Sequence, residues 1–151
     1  MRVAGIDADT KTVAIVVLDG GEVESVEHLK AKGARAEARF HPLCELVDDL
    51  VRHSFFAGIG FTFIELPIVG VNPKATRDQA MLVGAIRMSL LDHSHSMIDN
   101  TVWKKAVLGN GKATKEEIKD YIMAAYPSLG DGHAQDVYDA AGIAHFGVKG
   151  L

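Results

Sequence analysis

The stretch Phe61–Pro67, FTFIELP, embeds one carboxylate in an apolar run. Aromatic and β-branched residues favour a buried strand, and the closing proline cannot continue a ladder. An ionised group in such a strand costs on the order of several kcal/mol unless a cation or a donor meets it. Whatever the chain folds into must therefore answer Glu65. One answer is a metal ion shared with acids from elsewhere in the chain. The other is a strand-end carboxylate that leans into solvent or caps a neighbouring amide. Two further segments offer acids. Asp7 ends the apolar run Val3–Ile6, and Asp136 and Asp139 lie on a predicted C-terminal helix.

The pattern before Glu65 is that of strands. Arg2–Asp7 predicts a first strand and Thr12–Leu18 (TVAIVVL) a second. Asp19-Gly20 reads as a hairpin turn, because both residues tolerate positive φ, and Glu22–Lys30 predicts a third, edge-like strand. The opening is an antiparallel meander. From about Ala34 to His53 the period changes: Phe40, Leu43, Cys44, Val47, Leu50 and Val51 recur at helical spacing, with Pro42 either starting or kinking the helix.

After the Glu65 strand come a loop through Pro67–Pro73, a helix over Ala75–Leu91, a short strand at Ser96–Ile98 and a helix Val102–Leu108 capped by Thr101. Thr114 and Glu117 form a capping box for a helix reaching about Tyr126, and His133–Phe146 reads as a last, Ala-rich helix ending at Gly147. The expected fold is α/β: a mixed five-stranded sheet, three antiparallel strands plus two parallel ones, flanked by helices. With 151 residues and no linker or repeat, one domain over 1–151 is expected.

If the first and fourth strands are parallel neighbours, Asp7 and Glu65 stand side by side at one sheet edge. Asp136 and Asp139, three apart on a helix, share one face. Laid over that edge, they would complete a four-carboxylate cluster. The other reading of the pair is two solvated acids on an amphipathic helix; the small neighbours Ala140 and Ala141, which imply tight packing on the sheet, weigh against it. Four acids at one point are stable only with cations between them or with some protonated. Oxygen-rich sites suit Mg²⁺ or Mn²⁺. Two such ions about 4 Å apart stabilise both the attacking and the leaving oxygen of a phosphodiester.

The net charge of −4 does not suggest a nucleic-acid binder by bulk charge; a nuclease with an acidic metal site still fits, and what matters then is a local basic patch. Lys104, Lys105, Lys112, Lys115 and Lys119 form the densest basic cluster, around a Gly109-Asn110-Gly111 turn, which suits phosphate positioning rather than base reading. A solvated helix face is the alternative. Cys44 is the only cysteine, which points to a reducing, cytoplasmic setting. The opening MRVAGIDADT has no apolar core of a signal peptide, and Glu65, Pro67 and the glycines of Phe55–Val71 argue against a membrane span. Trp103 could stack on DNA beside Lys104 or anchor a core or interface.

These residues resemble the RuvC family of Holliday junction resolvases, in the RNase H-like superfamily. Gly5-Ile6-Asp7, Ile64-Glu65, the segment Lys104–Lys115 and Gln135-Asp136-Val137-Tyr138-Asp139-Ala140-Ala141 carry the resemblance, in order and over nearly the whole length. The compact size is similar to small phage-encoded members. The resemblance implies a homodimer acting on four-way DNA junctions in recombination or replication-intermediate processing. It implies Asp7, Glu65, Asp136 and Asp139 as ligands of two Mg²⁺ ions, with water as nucleophile. It also implies phosphate contacts by Lys104, Lys105, Lys112 and Lys115, and the helix Ala75–Leu91 as the dimer interface.

Two features depart from the family's pattern. Ala8-Asp9 follows the first aspartate where Pro-Gly is common. No aromatic residue occurs in Leu66–Gly70, where well-studied members place one that stacks on a base. Broader cutting of branched DNA, or a branched-DNA binding protein with weak or lost catalysis, is the alternative expectation. An actin-like or sugar-kinase ATPase would need a second lobe, and a YqgF-type protein fits the Asp136/Asp139 pair less well.

Overall fold

The structure, a computed structural model, describes residues 1–70 and 72–150. The chain runs β1 (Arg2–Ala8), β2 (Thr12–Asp19), β3 (Glu22–Lys30), α1 (Ala36–Arg52), β4 (Phe61–Glu65), α2 (Pro73–Ser89), β5 (His95–Ile98), α3 (Asn100–Leu108), α4 (Lys115–Ala125), a 3₁₀ turn Pro127–Leu129 and α5 (Gln135–Gly150). The five strands form one sheet in the order β3-β2-β1-β4-β5. β1–β2 and β2–β3 are antiparallel, while β1–β4 and β4–β5 are parallel. The mixed sheet of three antiparallel and two parallel strands is therefore as the sequence predicts.

β1 and β2 are buried on both faces, which explains their nearly unbroken apolar runs. The period of two divides their side chains between two layers. Ala4, Ile6, Val13, Ile15 and Val17 pack with Leu43 and Val47 of α1 and Leu82 and Ile86 of α2. Ala14, Val16 and Leu18 pack on the other face with α3, α4 and α5. By the same alternation, Asp7, Thr12, His28 and Glu65 all belong to the α5 face.

That face is closely packed because its helix is built from small residues. Ala140, Ala141, Gly142, Ala144 and Gly147 of α5 are all buried. A Cβ added to Gly5 would stand 2.1 Å from the Ala140 carbonyl oxygen and 2.4 Å from the Ala144 nitrogen. Only a glycine in β1 lets the backbone of α5 lie this close to the strand that ends in Asp7.

Several local expectations shift. The β2–β3 turn is Gly20-Gly21 rather than Asp19-Gly20, both glycines at positive φ. Of the two expectations for Pro42, the helix starting there is not the one observed: α1 runs through it, with Pro42 seven residues in. Asp99, not Thr101, caps α3: its side chain accepts from the Thr101 amide. Gly147 does not end the last helix, because there it gives room to Val3 and Phe63, and α5 continues to Gly150. The capping box of Thr114 and Glu117 forms as expected. Among the described residues no helix is long and apolar enough to cross a membrane.

Candidate active site

The parallel register of β1 and β4 ends at Ile6↔Ile64. Asp7 and Glu65 are the next residues on each strand, so the two carboxylates leave the sheet together. α5 crosses the same strands with Asp136 and Asp139 in its first turns. An open cleft of about 460 Å³ lies there, lined in part by Asp7, Asp136 and Asp139, with Lys30 and Lys115 at its walls. Glu65 sits deeper, 8% exposed. The four acids singled out from sequence thus gather at one end of the sheet.

Their charges act on one another. Burial first, and then the charges of Glu65, Asp139, Asp136 and Asp9, push the Asp7 carboxyl well above the usual carboxylate range. Burial pushes Asp139 up to about 6; the Gln135 hydrogen bond, Lys104 and Lys115 pull against it, and Glu65 adds to it. Such crowding of partly buried acids calls for protons or cations in the cleft.

Three of the four acids, Glu65, Asp136 and Asp139, have side-chain partners. Asn100 Nδ2 donates to Glu65 Oε1 at 2.7 Å and Trp103 Nε1 donates to Oε2 at 2.9 Å. Thr12 Oγ1 donates to Asp136 Oδ2 at 2.6 Å, and His28 Nε2 meets the same oxygen at 2.7 Å. Gln135 Nε2 donates to Asp139 Oδ1 at 3.0 Å. Asp136 Oδ1, by contrast, is buried without a hydrogen-bond partner among the described residues. A buried acceptor left open in a cleft of carboxylates fits a hard cation such as Mg²⁺ or Mn²⁺. The side chains as they stand are turned onto these donors, and among the described residues no three of them converge on one point as a ready-made cage.

The lysines divide. Lys115 lines the cleft and Lys104, half-buried, acts on Asp139 through its charge. Lys105 and Lys112 are exposed outside the cleft lining. Lys119 leaves the cluster: its Nζ pairs with Asp131 at 2.6 Å and lies over the Tyr138 ring. Trp103 is fully buried, so of its two expected roles the core one is observed. Asp9 is a turn-former: its Oδ1 accepts from the amides of Lys11 (2.5 Å) and Thr12 (2.9 Å) between β1 and β2.

Sequence reading missed Thr12, His28, Lys30 and Asn100. None carries a local signal of chemistry. His28 and Lys30 are ordinary polar residues of an edge strand until the register Ala14↔His28 and Thr12↔Lys30 sets them beside the cleft.

No protein-family model matches the chain. Its relatives among known proteins include crossover junction endodeoxyribonucleases RuvC. That of Campylobacter jejuni subsp. jejuni serotype O:2 is 27% identical over 150 residues, covering 95% of this chain and 92% of the relative. That of Aliarcobacter butzleri is 28% identical, covering 95% and 96%. That of Ralstonia nicotianae is 29% identical over 151 residues, covering 95% and 81%. Among solved structures, Thermus thermophilus RuvC in complex with a Holliday junction substrate superposes with a TM-score of 0.79 at 18% identity, over 97% of this chain and 92% of that one. The structure titled Thermus thermophilus RuvC gives 0.75 at 20% identity, over 99% and 96%. Along 95% of its length this chain is similar in sequence to RuvC endonucleases, and it shares the fold of the two Thermus thermophilus RuvC structures.

Proposed function

We propose that this chain is a metal-dependent endonuclease that cleaves four-way DNA junctions by phosphodiester hydrolysis, acting as a homodimer over a single catalytic domain, 1–151, in a reducing cytoplasm. The observation that carries the reading is the gathering of Asp7, Glu65, Asp136 and Asp139 at the shared end of β1 and β4 beneath α5. Relatives that match 95% of the chain are named as crossover junction endonucleases, and the neighbouring fold is known in complex with a Holliday junction.

In this reading the four carboxylates would hold two Mg²⁺ ions, which would supply charge neutralisation for the phosphate and activation of water. The chain's own residues set the stage. Glu65 and Asp136 are held in orientation by Asn100 and Trp103 and by Thr12 and His28. Lys115 places positive charge at the wall of an acidic cleft and Lys104 acts on Asp139, charge that would draw a DNA backbone in. Lys105 and Lys112 extend that charge along the outer surface, positioning phosphates without reading bases. With no aromatic residue in Leu66–Gly70, base stacking at the junction centre does not come from this loop.

The test uses purified protein, Mg²⁺ and labelled four-way, three-way and linear duplex DNA, with Asp7→Asn alongside. The expected result is paired nicks in the four-way junction, with at least about a 10³-fold loss in the variant, since its amide cannot supply the charge that holds metal. Equal cutting of three-way DNA would widen the substrate to branched DNA in general. Junction binding without cutting in Mg²⁺ or Mn²⁺ would instead establish a branched-DNA binding protein.

A further inference from the structure

We infer that Trp103 and Asn100 are positioning residues that tune metal affinity at Glu65. The inference rests on the reading of Glu65 as a metal ligand. Both side chains sit in the first turn and a half of α3, three residues apart, and so face the same way. Each serves a different oxygen of the carboxylate, Asn100 Nδ2 on Oε1 and Trp103 Nε1 on Oε2. One N–H per oxygen fixes the plane of the carboxylate, while a carboxylate offers about four lone-pair sites, so two bonds leave others free for an ion.

The arrangement is built in by connectivity. Glu65 pairs in register with Ile98 of β5, and the Leu66 amide donates to the Ile98 carbonyl at 2.8 Å. α3 starts two residues later, so β5 delivers its first turn directly beside the carboxylate it pairs with. Trp103 is fully buried. Its ring rests on α5 at Gly142, where a Cβ would stand 2.6 Å from Cζ3. The indole thus wedges between Glu65 and the helix that carries Asp136 and Asp139. It is a spacer as well as a donor: it sets the depth of Glu65 relative to the other two acids. The next residue, Lys104, has its Nζ 5.6 Å from the indole centroid. Residues that hold a ligand in this way typically change metal affinity about 10–100-fold when removed.

Trp103 is also the only tryptophan, so it reports on the site it positions. Full-length wild type, Trp103→Phe, Asn100→Leu and Asn100→Gln are titrated with Mn²⁺ by calorimetry without DNA, with circular dichroism melts as a check on folding. Wild type and Asn100→Leu are also titrated with Mg²⁺ by tryptophan fluorescence. Trp103→Phe keeps an apolar aromatic ring and removes the N–H; Asn100→Leu keeps the volume and removes the amide; Asn100→Gln keeps the amide. The expected result is a saturable fluorescence change in wild type. Mn²⁺ affinity falls about tenfold in Trp103→Phe and Asn100→Leu at unchanged stoichiometry, and Asn100→Gln recovers it at least partly.

Unchanged Mn²⁺ affinity in folded Asn100→Leu and Trp103→Phe would overturn the positioning role while leaving the metal site standing. Should Trp103→Phe fail to fold, Asn100→Leu against Asn100→Gln decides. No Mn²⁺ binding by wild type, with no junction cleavage, would overturn the metal reading itself and the positioning role with it.

Discussion

The two faces of the sheet hold their helices differently. On one, α1 and α2 meet β1 and β2 through large side chains: Leu43, Val47, Phe56, Leu82 and Ile86 fill the layer. On the other, α5 approaches β1 backbone to backbone at Gly5, with Ala140, Ala141, Gly142, Ala144 and Gly147 buried along it. Large residues fill space and tolerate small shifts by repacking, whereas glycine-to-backbone contact allows one distance only. The candidate active site lies wholly on the second face. Placing Asp136 and Asp139 against Asp7 and Glu65 needs an accurate helix depth, and the small-residue face supplies it.

The comparison can be broken most severely at Gly5. Gly5→Val would drive a side chain into the Ala140 carbonyl and Ala144 amide; loss of more than about 4 kcal/mol is expected, read as failure to fold in a circular dichroism melt. On the opposite face, Leu43→Ala should cost about 2–4 kcal/mol in a urea melt. It should nonetheless leave Mn²⁺ affinity unchanged at temperatures where the protein is folded, because no acid is placed by that layer. Reduced affinity in folded Leu43→Ala would show that the two faces share the work of placing the site.

A third test concerns charge. The Asp139 carboxyl is raised from its ordinary value to about 6, and Asp7 is raised as well. A carboxyl with a raised folded-state pKa binds its proton more tightly in the native state. In metal-free protein, therefore, the Asp139 contribution to stability falls as pH rises from about 4 through about 6 and its penalty is complete above that, while Asp7 adds a penalty of the same sign. Asp139→Asn should stabilise metal-free protein at pH 7.5 by about 2 kcal/mol, a rise in Tm of about 4–8 °C, measured in EDTA. The same variant should lose the stabilisation that Mg²⁺ confers on wild type. An unchanged or lowered Tm in EDTA would mean that burial and the nearby Glu65 charge do not penalise the Asp139 carboxylate as placed.

The smallest effect is expected at the rim. Lys115→Ala should weaken junction binding modestly and lower the slope of log affinity against log salt by about one, uniformly across DNA sequences. Lys119→Ala should change neither, because that side chain is already paired with Asp131.

Much of the molecule is legible in its residues. β-branched apolar runs and an Asp-Gly hairpin signal, one residue off the actual turn, announce the meander; a capping box announces α4; a carboxylate in FTFIELP and the Asp-x-x-Asp pair announce the acids. These signals are local, and local periodicity and capping are enough to carry them. Other features were beyond such reading. Asp99 and Thr101 are both competent caps, and the choice between them depends on where β5 ends. Gly147 reads as a helix stop, yet it serves to let α5 pass Val3 and Phe63.

The partners of the acids belong to the same second kind. Trp103 lies 38 residues from Glu65, His28 lies 108 from Asp136 and Thr12 lies 124 from it. Nothing in a short window distinguishes them from core or surface residues. The chemical identity of the site is written in side chains that are costly to bury, so it shows in the chain itself. Its geometry arises only when parallel pairing aligns Asp7 with Glu65 and a helix of small residues closes on Gly5. Those distances are set by strand register and backbone contact between segments far apart in sequence, which no local pattern encodes.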